Sequence, residues 1–133
     1  MKTIPTQYLD LFQDETRAHA FLATLMKDGS PQVTPVWFDT DGEYIFVNSA
    51  AGRIKDRNMR QRPQVALAIQ DPKNPGRYIQ IRGEVVEATT EGADEHADRL
   101  AGKYTGVAKY TFRQPGEQRV RYKIRPDHVT GMG

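Results

Sequence analysis

The sequence predicts a mainly β protein: a six-stranded antiparallel β-barrel with helical insertions. Two Asp-Gly turns, Asp28-Gly29 and Asp41-Gly42, lie between runs of β-branched and aromatic residues, which is the strongest short-range signal for β-hairpins. Helical patterns follow the third and fifth strand-like runs and do not alternate with strands one for one, so an antiparallel barrel is favoured over a parallel sheet. The whole chain, residues 1–133, is expected to form this single domain.

The first half of the chain predicts a short helix and then a meander of three strands. Residues 5–12 place their apolar side chains on one helical stripe. The strands are expected at residues 18–26, 31–40 and 43–49. Pro35 interrupts the second strand and has no N–H to donate. This strand is therefore predicted to lie at an edge, to bend, or to turn its backbone toward a ligand.

The second half predicts three further strands and two helices. A short basic helix is expected within residues 53–62, strands at residues 64–70, 77–88 and 118–125, and a second helix at residues 91–104. Gly83, in the long fifth strand, indicates a bend of the kind that closes a sheet into a barrel. Thr89 and Thr90 are positioned to cap the second helix. Residues 106–114 fit either a short helix or a loop.

Composition excludes several classes of function. The chain has no cysteine, so disulfides, thiolate nucleophiles and cysteine-ligated metal centres are excluded, and redox chemistry needs a bound cofactor. The three histidines show no metal-ligand spacing and no serine lies in a nucleophile elbow, so no metal site is expected. The formal net charge is only +2, and no signal peptide or membrane-span pattern occurs. We therefore expect a cytoplasmic protein that binds no nucleic acid and no membrane.

Much of the positive charge is concentrated in residues 47–63. Five cations are opposed only by Asp56 in this stretch: Arg53, Lys55, Arg57, Arg60 and Arg62. A turn of small and polar residues, 48–52, leads into the helix, whose first N–H groups have no intrahelical partner. These N–H groups, the helix dipole and the cations together predict an anion site best suited to phosphate. Helical spacing prevents all five cations from facing one phosphate, so Arg57, Arg60 and Arg62 are interpreted as surface or interface residues.

A second basic stripe runs along the last predicted strand, where Val120, Tyr122 and Ile124 alternate with Arg119, Arg121, Lys123 and Arg125. The apolar residues are predicted to face the core. The basic residues are interpreted as a solvated face, with the alternative that one of them binds an anionic cofactor or substrate. Nucleic-acid binding is a further alternative, but the stripe lacks interleaved exposed aromatic residues and a recognition motif.

The order of these elements and several of their residues resemble one superfamily. The matching segments are Thr34-Pro35-Val36-Trp37, Val47-Asn48-Ser49, Arg53-Ile54-Lys55-Asp56-Arg57-Asn58, Arg62-Pro63-Gln64-Val65 and Tyr78-Ile79-Gln80-Ile81-Arg82-Gly83-Glu84-Val85. They resemble the split β-barrel flavin-binding superfamily typified by pyridoxamine phosphate oxidase, and within it the short deazaflavin-dependent branch that uses coenzyme F420. The resemblance covers nearly the whole chain. It implies an FMN-binding type of split barrel, assembled as a homodimer with two cofactor sites at the subunit interface.

The resemblance also implies roles for individual residues. Those that would hold the cofactor phosphate or line the approach to it are Arg53, Lys55, Asn58, Asn48 and Ser49. Those that would run beside the ring are Thr34, Pro35 and Val36, flanked by Gln32 and Trp37. The implied activity is an oxidoreductase that transfers a hydride between F420 and a small organic acceptor. No catalytic side chain is identified, because such a cofactor carries the hydride chemistry itself.

Two alternatives stay open at the level of the sequence. FMN is the first, because FMN and F420 both carry a phosphate joined through a ribityl chain to a planar ring. A non-enzymatic module that stores or senses a flavin, a haem or a tetrapyrrole is the second. A vitamin B6 oxidase is not expected, because the chain reaches Gly133 without the Arg- and His-containing tail of pyridoxamine phosphate oxidases.

Overall fold

The computed structural model describes residues 3–133. Within that range seven strands form one antiparallel sheet. The strands are β1 (His19–Leu25), β2 (Pro31–Val36), β3 (Phe38–Thr40), β4 (Ile45–Ala50), β5 (Gln64–Asp71), β6 (Asn74–Thr89) and β7 (Arg119–Met132). The α-helices are α1 (Ile54–Gln61) and α2 (Ala93–Thr105), and two 3-10 helices span Thr6–Phe12 and Asp14–Thr16.

The sheet curls into a barrel because its two edge strands are consecutive in the chain. The strand order is β2-β1-β5-β6-β7-β4-β3, so β2 and β3 lie at opposite edges. Trp37 alone separates the end of β2 from the start of β3, and the sheet has to bend round until its edges meet at this residue. The prediction of a mainly β, antiparallel barrel of the split type is confirmed.

The predicted single strand at residues 31–40 is wrong, and for this reason the barrel has seven strands and not six. β2 pairs with β1, with Val36 opposite Ala20, whereas β3 pairs with β4, with Phe38 opposite Val47. The chain changes partner at Trp37, so the predicted meander divides into two hairpins, each closed by its Asp-Gly turn. Pro35 lies on an edge strand, as predicted, where its missing N–H interrupts no ladder on the outer side.

The longest pair of strands, β6 and β7, supplies the bend that closes the barrel. Both run beyond the predicted boundaries, and their register shifts between Arg82 and Gly83. A Cβ built on Gly83 would collide with the backbone carbonyl of Arg125. The close approach of the two backbones requires glycine here, and the bend predicted at Gly83 is confirmed.

Both α-helices lie close to their predicted positions. The opening helix is a 3-10 helix, and residues 106–118 contain no regular element. The predicted capping of α2 by Thr89 or Thr90 is wrong: Gly92 precedes the helix with φ of 72° and no side-chain cap is made. The Thr89 hydroxyl accepts a hydrogen bond from the Glu91 N–H at 3.0 Å instead.

The barrel interior is apolar, and a buried polar junction around Asp56 lies next to α1. Val120, Tyr122 and Ile124 are fully buried, as the alternation along β7 predicts. The Tyr122 hydroxyl donates to the Asp56 carboxylate, which also accepts from the Gly52 N–H at 2.9 Å. This junction fixes the turn before α1 against β7, and that turn carries the residues described next.

Candidate functional site

A cavity of about 320 Å³ lies at the end of the barrel where β2 passes into β3. Its wall is formed by the starts of α1 and β7, by β4 and α2, and by residues 106–118. It brings together six of the ten site residues proposed from the sequence: Pro35, Val36, Trp37, Asn48, Arg53 and Lys55. The basic turn and the proline-containing strand, which are separate in sequence, therefore face one space.

One side of the cavity is apolar and aromatic. Trp37 stacks on Tyr104 with ring centroids 5.3 Å apart and planes 9° from parallel, and it meets Tyr110 edge-on at 6.3 Å. The Tyr104 hydroxyl donates to the Ala18 carbonyl at 3.0 Å, which ties α2 to the start of β1. Pro35 lies on the edge strand β2, and Trp37 directly follows this strand. Backbone groups at a sheet edge have no neighbouring strand on one side. This wall suits a planar ring that needs both stacking surface and backbone hydrogen bonds.

The cavity is also lined by three cations, Arg53, Lys55 and Arg119, which we call the cation cluster. The Lys55 ammonium donates to the Thr34 hydroxyl at 3.3 Å, so α1 reaches across to β2. Burial lowers the pKa of Lys55, and the charges of Arg53 and Arg119 lower it further. A bound anion would raise the pKa of Lys55 again, because it supplies opposite charge where the protein concentrates positive charge.

Glu117 is the acid that faces the cation cluster. Its carboxylate pairs with the Arg119 guanidinium, and Arg53 Nη2 lies 3.8 Å from Glu117 Oε2. Burial alone would raise the pKa of Glu117, but the hydrogen bond from Arg119 holds it below its ordinary value, so the carboxylate is ionised. Two of the three cations therefore share this carboxylate, and Lys55 has no acidic partner within residues 3–133, so the cluster keeps an excess of positive charge.

Known proteins match this chain along almost its full length. The sequence model of the pyridoxamine 5'-phosphate oxidase family matches residues 6–133. This chain belongs to that family. No protein with a curated description matches it.

Three solved structures illustrate the relationship. One named F420 reductase is 32% identical, covers 96% of this chain and 98% of its own, and has a TM-score of 0.83. The conserved hypothetical protein Rv2991 from Mycobacterium tuberculosis is 21% identical over 97% of this chain and 84% of its own, with a TM-score of 0.74. HupZ from Group A Streptococcus is 19% identical over 96% of this chain and 93% of its own, with a TM-score of 0.68.

Membership of the pyridoxamine 5'-phosphate oxidase family confirms the resemblance found in the sequence. The family match and the F420 reductase together support a flavin-type oxidoreductase or flavin-binding protein. The two structures below 25% identity show the fold alone. No helix within residues 3–133 is long and apolar enough to cross a membrane.

Four residues proposed from the sequence do not line this cavity. Thr34 reaches it only through its hydrogen bond with Lys55. Gln32 lines a neighbouring shallow pocket of about 380 Å³ together with Arg53, Lys55 and the exposed Arg57. That pocket continues the basic surface away from the aromatic wall.

Ser49 and Asn58 are both buried away from the cavity. Ser49 is 1% exposed, and its hydroxyl has no hydrogen-bond partner within residues 3–133. Asn48 and Ser49 are neighbours on β4, so their side chains point to opposite faces and only Asn48 faces the cavity. The Asn58 amide donates to the Thr24 hydroxyl at 3.0 Å, and its oxygen accepts from Arg62 at 3.2 Å. The side chain of Asn58 thus joins α1 to β1.

Most of the other cations have partners outside the cavity. Arg60 pairs with Asp56 at 3.0 Å, and Arg62 donates to the Leu25 carbonyl at 2.7 Å. On β7, Arg121 lies 3.7 Å from Glu87 and Arg125 lies 2.7 Å from Asp127. Arg119 is the exception: the sequence places it on a solvated face, but it is only 6% exposed because residues 106–118 cover it.

Sequence reasoning missed several residues of the cavity wall. These are His19, Ala20, Ala97, Leu100, Tyr110 and Phe112. Arg119 also lines the cavity; the sequence names it only within the basic stripe of β7, for which anion binding by one member is the alternative. Nothing local in residues 106–114 indicates that they cover β7. Within residues 3–133 no group of three or more acidic or histidine side chains is arranged to hold a metal ion.

Proposed function

We propose that this protein is an oxidoreductase that binds coenzyme F420 in the cavity and transfers a hydride between it and a small organic acceptor. The observation that carries the proposal is the meeting of an aromatic wall and an excess of cations in one cavity of about 320 Å³. The 32% identity with a structure named F420 reductase supports the choice of cofactor.

The residues of the cavity fit the two ends of such a cofactor. Arg53 and Lys55 would hold the phosphate, because each offers a charge-assisted hydrogen bond and Lys55, whose ammonium contacts only the Thr34 hydroxyl within residues 3–133, has no acidic partner. Pro35, Val36 and Trp37 would lie along the ring, whose polar edge needs the backbone groups of an edge strand. Asn48 lines the same cavity, bonded to Arg119.

The chain contributes binding, orientation and exclusion of water. F420 supplies the hydride chemistry when it is bound, so no side-chain nucleophile is needed. Trp37 and Tyr110 meet at right angles, and Phe112 packs edge-on against Tyr110 at 5.9 Å, so aromatic side chains shield one side of the cavity from solvent. A planar acceptor is expected to enter beside Phe112, which is 63% exposed.

We also propose that two copies of the chain form a homodimer. The outer face of β1, β2, β5 and β6 carries an apolar groove of about 410 Å³, lined by Ala23, Leu25 and Ala66. Phe21 is 38% and Val33 is 64% exposed on the adjoining strands. A second copy would cover these side chains. Light scattering of the purified protein should give twice the monomer mass of 15.1 kDa, and a monomer at micromolar concentration would contradict the proposal.

The cofactor is tested by equilibrium titration with F420 and with FMN under the same conditions. The proposal predicts tighter binding of F420, followed by turnover of reduced F420 with at least one member of a panel of dyes, quinones and tetrapyrroles. FMN is the second candidate, because the family is named for a pyridoxamine 5'-phosphate oxidase and the phosphate contacts do not separate the two cofactors. FMN binding that is tenfold tighter or more would contradict the deazaflavin proposal. Tight binding without turnover would indicate a storage or sensing module.

A further inference from the structure

A chain of hydrogen bonds runs from β3 through α2 and β4 to the cation cluster. Asp39 Oδ1 lies 2.8 Å from His96 Nε2, His96 Nδ1 lies 3.0 Å from Asn48 Nδ2, and Arg119 Nε donates to Asn48 Oδ1 at 2.8 Å. His96 is wholly buried, and the side chain of Asp39 is only 14% exposed. Four side chains from four elements are thus joined in one line that ends in the cavity.

The two fixed partners at the ends of the Asn48 amide decide how this chain is oriented. Asn48 Nδ2 donates to the Ala93 carbonyl at 2.9 Å, and a carbonyl can only accept. Asn48 Oδ1 faces the guanidinium of Arg119, which can only donate. The amide therefore also presents its N–H to His96 Nδ1, and the ring proton lies on Nε2, where it is donated to Asp39. The tautomer of His96 thus follows from the fixed partners of the Asn48 amide, the Ala93 carbonyl and the Arg119 guanidinium.

Asp39 is suited to be the fixed end of the chain. Burial alone would raise the pKa of Asp39, but the hydrogen bonds from His96 and Arg99 hold it below its ordinary value. Its carboxylate is therefore ionised and accepts from His96 Nε2 and from Arg99 at 3.2 Å. An ionised acceptor at one end favours one orientation of every group along the line.

Arg119 is held on three sides but keeps one free edge. Nε is bound by Asn48, Nη1 by Glu117 and by the Tyr110 hydroxyl at 3.5 Å, and the guanidinium carbon lies 4.7 Å from the centre of the Tyr110 ring. Within residues 3–133 the remaining nitrogen, Nη2, has no hydrogen-bond partner. An arginine kept in a single orientation with a free pair of N–H groups is prepared for an anionic oxygen.

We infer that Arg119 is a third anion-binding side chain of the cavity, directed at phosphate oxygens, and that Asp39, His96 and Asn48 are its positioning residues. Arg119 and Arg53 both contact the Glu117 carboxylate, so their guanidinium groups lie close together. The ligand group assigned to Arg119 is therefore the phosphate that Arg53 would hold, and not a ligand carboxylate bound elsewhere in the cavity. Assigning that phosphate to the cofactor rests on the proposed function, whereas the anion site itself does not.

The anion site is tested with inorganic phosphate as the probe. The thermal unfolding midpoint is measured against phosphate concentration, with chloride at matched ionic strength as the reference, and the shift gives the dissociation constant. Arg119→Gln should need at least about tenfold more phosphate for the same shift. Arg121→Gln, on the same face of β7 but outside the cavity, should behave like the wild type. A wild type that phosphate does not stabilise more than chloride, or an Arg119→Gln variant with unchanged phosphate affinity, would overturn the inference.

The positioning role is tested with a double-mutant cycle, because a purely structural effect of His96 would not depend on Arg119. His96→Leu should weaken phosphate binding, and His96→Asn, which returns an acceptor near the position of Nδ1, should restore part of it. In an Arg119→Gln background, His96→Leu should cause no further loss. Equal losses in both backgrounds would remove the positioning role.

The same variants separate this inference from the proposed function. If F420 and FMN both fail to bind but the phosphate shift depends on Arg119, the anion site is supported and the proposed function fails. If F420 binds Arg119→Gln as tightly as the wild type, the proposed function survives and the assignment of Arg119 to the cofactor phosphate is refuted.

Discussion

Two polar clusters adjoin the turn before α1, and their charges are balanced differently. In the Asp56 junction, made by Gly52, Asp56, Arg60 and Tyr122, one carboxylate accepts three hydrogen bonds and faces one cation. In the cation cluster, Arg53 and Arg119 share the carboxylate of Glu117, and Lys55 has no acidic partner within residues 3–133. The first arrangement is complete within the protein, whereas the second becomes complete only with an anion. A saturated cluster stabilises a fold, and an unsaturated one binds a ligand.

The largest effect is expected from breaking the saturated cluster. Asp56→Ala removes the acceptor of the Tyr122 hydroxyl, the Gly52 N–H and Arg60, and leaves a buried hydroxyl unpaired. The free energy of unfolding should fall by about 3 kcal/mol, measured by denaturant unfolding. Asp127→Ala, which removes an exposed partner of Arg125, is the control and should unfold near the wild-type midpoint. Equal stability of Asp56→Ala and the wild type would show that the junction is not a stabilising element.

The next effect is on binding and separates the two clusters. Lys55→Met should weaken cofactor binding at least tenfold, since a charge-assisted contact contributes roughly 1.5 to 3 kcal/mol. The stability of the ligand-free protein should not fall, because burial and the neighbouring arginines disfavour the lysine charge. Lys73→Met, the same substitution in an exposed turn, is the matched control. If Lys55→Met destabilises the ligand-free protein as Asp56→Ala does, the distinction between the clusters is lost.

The pH dependence of binding follows from the same lysine. Its pKa in the folded protein lies below the ordinary value, so the ligand-free fold gains stability as the pH rises from the lowered pKa toward the ordinary one. An anion favours the protonated lysine, and affinity should therefore be highest below the lowered pKa and fall as the pH rises through it. Titrations across the alkaline range should show this fall in the wild type and not in Lys55→Met. The same fall in both proteins would assign the pH dependence to another group.

The smallest effect is expected from Glu117→Gln, which makes the unsaturated cluster still more positive. Loss of the carboxylate removes the internal competitor for the cations, so the affinity for phosphate should rise severalfold, about 1 kcal/mol. The ligand-free protein should lose stability at the same time. An unchanged or lower phosphate affinity, measured by the same thermal titration, would mean that Glu117 does not compete with the ligand.

The sequence predicts the strands and the local part of the site, because both depend on short-range patterns. Asp-Gly turns define the two hairpins, and the spacing of Arg53 and Lys55 after a small-residue turn is visible without a structure. The break at Trp37 was not predicted, since the change of pairing partner from β1 to β4 is a property of the closed barrel and leaves no mark within residues 31–40.

The remote part of the site depends on register and on what covers each face. Ala50 lies opposite Arg119 in the β4–β7 ladder, and this pairing alone brings the start of β7 to the turn before α1. Alternation along β7 shows that Arg119 points away from the barrel interior, but not that residues 106–118 cover that side. Alternation on β4 also separates Asn48 from Ser49, so only one of these two neighbours can face the ligand.

The most direct test of a phosphate-anchored cofactor site is the binding of the deazaflavin with and without its phosphate. One equilibrium titration compares F420 with the ribityl deazaflavin that lacks the phosphate and everything beyond it. The unbalanced cation cluster predicts that F420 binds at least about tenfold more tightly, because Arg53, Lys55 and Arg119 contribute only when the phosphate is present. Equal affinities for the two compounds would contradict a phosphate-anchored site and would leave the aromatic wall as the whole of the binding site.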